Sequence, residues 1–168
     1  MSRLEKKDFC EKIREIELLV LDVDGVLTDG KITYNEEGVE FKSFDVKDGH
    51  GIVLAREAGL KLALVSGRVS KVTQIRANNL KIKTVRQGIR KKDNALRKLA
   101  DELEVDLSKV AFMGDDVIDI PAMKISGLSI AVADAHEKVI QAGNWVTTRC
   151  GGNGAVREVL DFWLEARS

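Results

Sequence analysis

The stretch Leu18-Leu19-Val20-Leu21-Asp22-Val23-Asp24-Gly25-Val26-Leu27-Thr28 decides the fold. Its first four residues are an unbroken apolar run, the pattern of a strand covered on both faces, and two carboxylates appear where that run stops. In an open parallel sheet the ligand crevice lies beyond the carboxyl ends of the strands, which puts Asp22 and Asp24 where chemistry is usually done. Gly25 lets the backbone turn closely around whatever binds there. Two other readings compete. Asp-Gly pairs are common turn formers after strands. A calcium loop fits poorly, because its fifth and twelfth positions would be Val26 and Thr33 and a strand precedes it.

Working outward, Phe9, Ile13 and Ile16 lie at helical spacing and predict a short amphipathic helix before the acidic strand. Residues 31–43 alternate apolar and polar side chains around a turn signal ending in Gly38. They predict a β-hairpin inserted after the first strand, with Ile32, Tyr34, Val39 and Phe41 on a shared face. A lone hairpin cannot bury such a face, so it needs the body of the domain or another subunit. From Asp48 onward, predicted helices at 52–58, 69–79, 93–104, 118–125, 137–142 and 155–166 alternate with strands at 60–65, 83–85, 110–113, 128–132 and 145–147. This alternation implies an α/β fold, a three-layer Rossmann-like parallel sheet with helices on both faces. Pro121, the only proline, falls in the first turn of its helix, where a missing N–H is harmless.

The chain has 168 residues, 44% hydrophobic and 32% charged, which suits a single domain spanning 1–168 with a real core. Lys plus Arg and Asp plus Glu both number 27, so no net basic field draws nucleic acid. The first residues, Met1-Ser2-Arg3-Leu4-Glu5-Lys6-Lys7-Asp8, lack the apolar core of a signal peptide, and no apolar run approaches the ~20 residues that span a bilayer. The expectation is a cytoplasmic protein with no membrane partner. Cys10 and Cys150 read as reduced thiols, and His50 and His136 are too few for a zinc site.

Polar groups follow three separate apolar strands at one predicted edge: Asp22 and Asp24, then Ser66-Gly67-Arg68, then Gly114-Asp115-Asp116 with Asp119 shortly after. Two carboxylates 4 Å apart repel by roughly 4 kcal/mol at an effective dielectric near 20, so such a cluster needs a counter-charge. An all-oxygen set without His or Cys suits a hard cation such as Mg²⁺. A carboxylate beside Mg²⁺, a hydroxyl and a lysine is also equipment for handling a phosphoryl group. Each part has an ordinary alternative. Lys92 sits in a run with Arg90, Lys91, Arg97 and Lys98 whose spacing alone favours a solvated helix face, and Ser66 reads as a helix cap before Val69. Arg68 and Arg76, eight residues apart on a predicted helix, fall near one face and suit capture of a carboxylate, or are two surface arginines.

Asp22-Val23-Asp24-Gly25-Val26-Leu27-Thr28, Ser66, Lys92 and Gly114-Asp115-Asp116 occur in the order of the motifs of the haloacid dehalogenase superfamily, which the chain resembles. More narrowly, Asp45-Val46-Lys47-Asp48-Gly49, Ser66-Gly67-Arg68, Gln87-Gly88, Ala131-Val132-Ala133-Asp134-Ala135-His136 and Gly151-Gly152-Asn153-Gly154-Ala155-Val156-Arg157-Glu158 resemble the 3-deoxy-D-manno-octulosonate 8-phosphate phosphatases, enzymes of lipopolysaccharide precursor synthesis. The resemblance implies that Asp22 attacks phosphorus and that Asp24 serves as acid and then base. It implies that Asp22, Asp115 and the Asp24 carbonyl hold Mg²⁺, and that Ser66 and Lys92 hold the phosphoryl group. Asp116 and Asp119 would support Asp115 and the metal waters. The substrate, a phosphorylated acidic sugar, would meet Asp24, Asp45, Val46, Lys47, Asp48, Gly49, Val53, Arg68, Arg76 and Lys92.

Only a hairpin separates Asp22 from the second motif, and positions 67–91 are too few for a cap domain. The resemblance therefore implies a homotetramer whose hairpins assemble together and whose neighbours close each site. The segment 151–154 is expected to be a flexible loop, with Asn153 standing where many relatives carry Arg. Rival readings are a phosphatase for a nonulosonate 9-phosphate or broader sugar phosphates, a receiver-like signalling domain, and an assembly module. The receiver is disfavoured because its acceptor Asp lies on a later strand than its acidic pair.

Overall fold

Leu18–Leu21 forms β1, and all four of its residues are buried, as an apolar run covered on both faces requires. The structure is a computed structural model describing residues 3–167; Met1 and Ser2 of the N-terminal stretch read above, and Ser168, lie outside the described residues. In chain order, β2 (Thr33–Tyr34) and β3 (Glu40–Phe41) pair with each other. β4 (Lys61–Val65), β5 (Thr84–Arg86), β6 (Val110–Gly114), β7 (Leu128–Ala131) and β8 (Trp145–Val146) join β1 in one parallel sheet of order β5-β4-β1-β6-β7-β8.

The helices are α1 (Lys6–Arg14), α2 (Val46–Glu57), α3 (Lys71–Asn79), α4 (Lys92–Glu102), α5 (Ile120–Ile125), α6 (Glu137–Ala142) and α7 (Ala155–Glu165). One group packs α7 on α1 and α2, and another packs α5 on α4 and α6. Buried Trp163 ties α7 to the start of the sheet by donating from Nε1 to the Ile16 carbonyl at 2.8 Å. The six-stranded parallel sheet flanked by helices is the expected α/β architecture. Strands build outward from β1 toward β5 and then, on the other side, toward β8. The order therefore reverses between β1 and β6, where doubly wound sheets bind ligands.

Four local expectations are corrected. The hairpin register pairs Thr33 with Phe41 and Tyr34 with Glu40, so strand alternation puts Ile32 and Tyr34 on one face and Val39 and Phe41 on the other. Each strand alternates as expected, but the closing bond from Asn35 N–H to the Val39 carbonyl sets the register that separates the two apolar pairs. All four side chains are about half exposed.

Helix α2 begins at Val46, well before the predicted start at residue 52. The Asp45 carboxylate caps it, accepting from Lys47 N–H at 2.6 Å and Asp48 N–H at 3.1 Å. Gly49 and Gly51 look like helix breakers but serve packing: a Cβ on Gly49 would lie 2.3 Å from Arg76 Nη2, and one on Gly51 2.8 Å from Arg157 Cδ.

Helix α3 begins at Lys71 with Ser70 as its cap, so Arg68 precedes the helix and does not share a face with Arg76. Finally, 151–154 is a loop, but a packed one. Gly152 N–H donates to the Val26 carbonyl at 2.9 Å and Gly151 N–H to Asp134 Oδ1 at 2.9 Å. A Cβ on Gly151 would stand 1.7 Å from the Gly25 carbonyl oxygen, so glycine here permits backbone contact with the loop after β1. Gly151→Ala is expected to cost about 3 kcal/mol, the upper end for overpacking, and a lowered urea midpoint checks it.

Candidate active site

Three central strands deliver the site. Asp22 directly follows β1 and is buried, and its N–H continues the ladder to Met113 of β6 at 3.0 Å. The turn beyond it is held by Thr28, whose hydroxyl accepts from Gly25 N–H at 3.3 Å and Gly30 N–H at 3.2 Å. Gly25 adopts φ +91°, and a Cβ there would overlap Asp115 Oδ2 at 2.0 Å, so glycine is required on both conformational and steric grounds. Ser66 follows β4; it is buried, and its Oγ accepts from Arg68 N–H at 3.2 Å. It is therefore not the α3 cap.

Lys92 opens α4 and is only 1% exposed, whereas Arg90, Lys91, Arg97 and Lys98 around it are exposed. Its Nζ donates to Asp119 Oδ1 at 2.6 Å and stands 2.9 Å from Asp22 Oδ1. The solvated-face reading of Lys92 is excluded. Asp119 is fully buried, and its other oxygen accepts from the N–H groups of Asp115 at 3.1 Å and Asp116 at 3.2 Å. Gly114 makes room for it, since a Cβ there would lie 2.5 Å from Asp119 Cβ. Asp116 caps the short turn after β6 by accepting from Val117 N–H at 2.7 Å.

Asp22, Asp115 and Asp119 each present an oxygen within 4.8 Å of the others. Asp119 is already engaged by Lys92 and two backbone N–H groups. By contrast Asp24 Oδ2 and Asp115 Oδ1 are buried without a hydrogen-bond partner, and Asp22 Oδ1 has the Lys92 ammonium beside it at 2.9 Å. Orphaned carboxylate oxygens with no nitrogen or sulfur donor fit a hard divalent cation such as Mg²⁺. Asp22 and Asp115 are the available side-chain ligands.

An open cleft of ≈ 460 Å³ brings Asp22, Asp24, Ser66, Arg68, Lys92, Asp115 and Asp116 together, with Arg90 and Ile118 also on its wall. Arg68 is held by Glu40 at 2.7 Å and the Tyr34 hydroxyl at 3.2 Å, both from the hairpin. The rest of the expected substrate set lies elsewhere in the chain. Arg76 donates to the Asp45 carbonyl at 3.2 Å and stacks over Phe44. Asp48 is buried and accepts from Arg157 N–H at 2.7 Å and Gly154 N–H at 3.3 Å at the start of α7. Lys47 opens on a separate cavity against α7, Val46 is exposed, Gly49 packs on Arg76, and Val53 packs on the core.

Lys42 was missed by the sequence reading. Its side chain is 2% exposed, and its Nζ donates to Asp24 Oδ1. Its signal is the hairpin alternation itself, which puts Lys42 with Glu40 on the face carrying Tyr34 once the register is known.

Burial pushes the Asp22 carboxyl up to about 6, with the Asp119 charge adding to it and Lys92 opposing. Burial, then Asp22 and Asp119, push Asp115 up to about 8. Burial works against the Lys92 ammonium, but Asp22 and Asp119 outweigh it and hold the group above the ordinary lysine value. Carboxyls raised in the folded state favour folding below their unfolded value near 3.8, and that contribution is lost as pH rises through about 6 and about 8. A divalent ion needs the same groups ionised. Mg²⁺ is therefore expected to raise Tm over EDTA-treated protein by a larger increment at pH 8 than at pH 6, and calorimetry at the two pH values checks this.

A model of the haloacid dehalogenase-like hydrolase family matches residues 67–160. The chain is 44% identical over 160 residues to the 3-deoxy-D-manno-octulosonate 8-phosphate phosphatase KdsC of Escherichia coli strain K12, covering 95% of this chain and 85% of that one. It superposes with a TM-score of 0.94 and 40% identity on the 3-deoxy-D-manno-octulosonate 8-phosphate phosphatase of Moraxella catarrhalis in complex with magnesium ion, phosphate ion and KDO, covering 96% of this chain and 93% of that one. The cobalt-bound deoxy-D-mannose-octulosonate 8-phosphate phosphatase of Haemophilus influenzae gives a TM-score of 0.90 at 40% identity, with 93% and 91% covered. The chain thus belongs to the haloacid dehalogenase-like hydrolase family, alongside the 3-deoxy-D-manno-octulosonate 8-phosphate phosphatases.

Proposed function

We propose that this chain hydrolyses 3-deoxy-D-manno-octulosonate 8-phosphate to the free sugar acid and inorganic phosphate. The observation that carries the reading is the buried Lys92 ammonium between Asp22 and Asp119, beside the orphaned oxygen of Asp115. Similarity to the Moraxella enzyme that binds magnesium, phosphate and KDO supports the substrate.

Asp22 and Asp115, with the Asp24 carbonyl, would hold Mg²⁺, whose positive charge would offset the negative charge of the phosphoryl oxygens. An Asp22 carboxylate oxygen attacks phosphorus; the bond from phosphorus to the sugar oxygen breaks, and that oxygen takes the proton of Asp24. Water then attacks the aspartyl-phosphate, its proton passes to Asp24, and the bond between phosphorus and Asp22 breaks. Ser66 and Lys92 donate to the phosphoryl oxygens, while Asp119 and Asp116 hold Lys92 and the Asp115 loop. Arg68, on the cleft wall with a buried Nη1 that lacks a hydrogen-bond partner, takes the sugar carboxylate. Arg76 supports the start of α2.

The exposed apolar residues on both hairpin faces support a homotetramer in which hairpins bury one another. Among the described residues no helix is long and apolar enough to cross a membrane, and Cys10 and Cys150 are free thiols, both in keeping with the cytoplasm.

Phosphate release from 3-deoxy-D-manno-octulosonate 8-phosphate, a nonulosonate 9-phosphate and hexose phosphates tests the reading. Strong preference for the octulosonate is expected, abolished by EDTA and lowered at least about 1,000-fold by Asp22→Asn. Even rates on all esters would remove the named substrate. Phe41→Glu is expected to shift the light-scattering mass from tetramer toward monomer, and a fully active wild-type monomer would overturn the assembly.

A further inference from the structure

Each carboxylate of the Asp22–Asp24 pair has its own lysine. Lys92 stands against Asp22, and Lys42, which lies outside the motifs quoted above, donates to Asp24 Oδ1 from just beyond β3. The Lys42 side chain is 2% exposed. An ammonium so far removed from water persists only with a charged partner, and a desolvated ion pair has a strong orientation preference. With Oδ1 engaged, rotation of the Asp24 carboxylate is restrained, and Oδ2, buried without a hydrogen-bond partner, is the oxygen left for proton transfer.

The origin of Lys42 makes a mere tether insufficient. The hairpin keeps Ile32, Tyr34, Val39 and Phe41 about half exposed, and its strands are two residues each. Among the described residues, its side-chain polar ties to the loops around the cleft include Glu40 and Tyr34 to Arg68, Glu40 to Ser70, and Lys42 to Asp24. Glu40 and Tyr34 already anchor the hairpin to the β4–α3 loop. Lys42 instead reaches the acid side chain itself.

We infer that Lys42 is a positioning residue for Asp24: it holds the carboxylate in the orientation that passes a proton to the leaving sugar oxygen. The inference rests on the acid role of Asp24 given above.

The test is single-turnover phosphorylation of Asp22 with two esters, 3-deoxy-D-manno-octulosonate 8-phosphate and 4-nitrophenyl phosphate, together with steady-state KM and kcat. A sugar alkoxide needs Asp24's proton to leave, whereas nitrophenolate does not. Lys42→Met is expected to slow transfer from the sugar phosphate about tenfold to a hundredfold with KM changed less than about threefold, and to leave transfer from 4-nitrophenyl phosphate within about threefold. Lys42→Arg should recover most of the loss. Equal losses on both esters, or an unchanged rate on the sugar phosphate, would overturn the inference. If Lys42→Met does not fold, judged by Tm and elution volume, Lys42→Gln carries the same comparison. Wild-type protein that turns over neither ester would instead remove the acid reading of Asp24, and the inference with it.

Discussion

Carboxylates crowded at one edge of a parallel sheet impose the constraint on which this structure depends. Asp22, Asp115 and Asp119 lie close enough to repel one another, and burial removes the water that would screen them. The fold answers with a buried lysine at the first turn of α4, aimed between Asp22 and Asp119. It also spends two backbone N–H groups on Asp119, which locks the loop after β6 in place. The remaining orphaned oxygens create a demand for a cation. Stability and chemistry are thus set by the same charges.

Glycine is the second requirement of that edge. Gly25 and Gly114 leave room for the side chains of Asp115 and Asp119, and Gly151 lets the segment before α7 lie against the turn that carries Asp24. None of these glycines acts through mobility. Each allows a close approach that any side chain would block, so the C-terminal part of the chain braces the loop on which the N-terminal strand presents its acid.

The hairpin contributes from outside the sheet. It lacks a core of its own, yet its register turns Glu40 and Lys42 toward the cleft, where they meet Arg68 and Asp24. An element with half-exposed apolar side chains on both faces, tied to the body by charged groups, links the environment of the hairpin to the geometry of the site. Association between copies would then bear on the same residues that handle the substrate.

By itself the sequence determined the alternation of strands and helices and the polar groups that follow β1, β4 and β6, because periodicity and strand ends are local properties. The family motifs carried the chemistry from there. Tertiary structure alone decided the hairpin register, the early start of α2 and the separation of Arg68 from Arg76. These depend on a turn bond, on which carboxylate caps which helix, and on what packs against Gly49 and Gly51. It alone showed that Lys92, which the motif order had singled out, is buried among exposed basic neighbours, and it brought Lys42 to Asp24, eighteen positions away. A lysine reads the same in sequence on a solvated face and in an ion pair; only burial against a particular carboxylate separates the two.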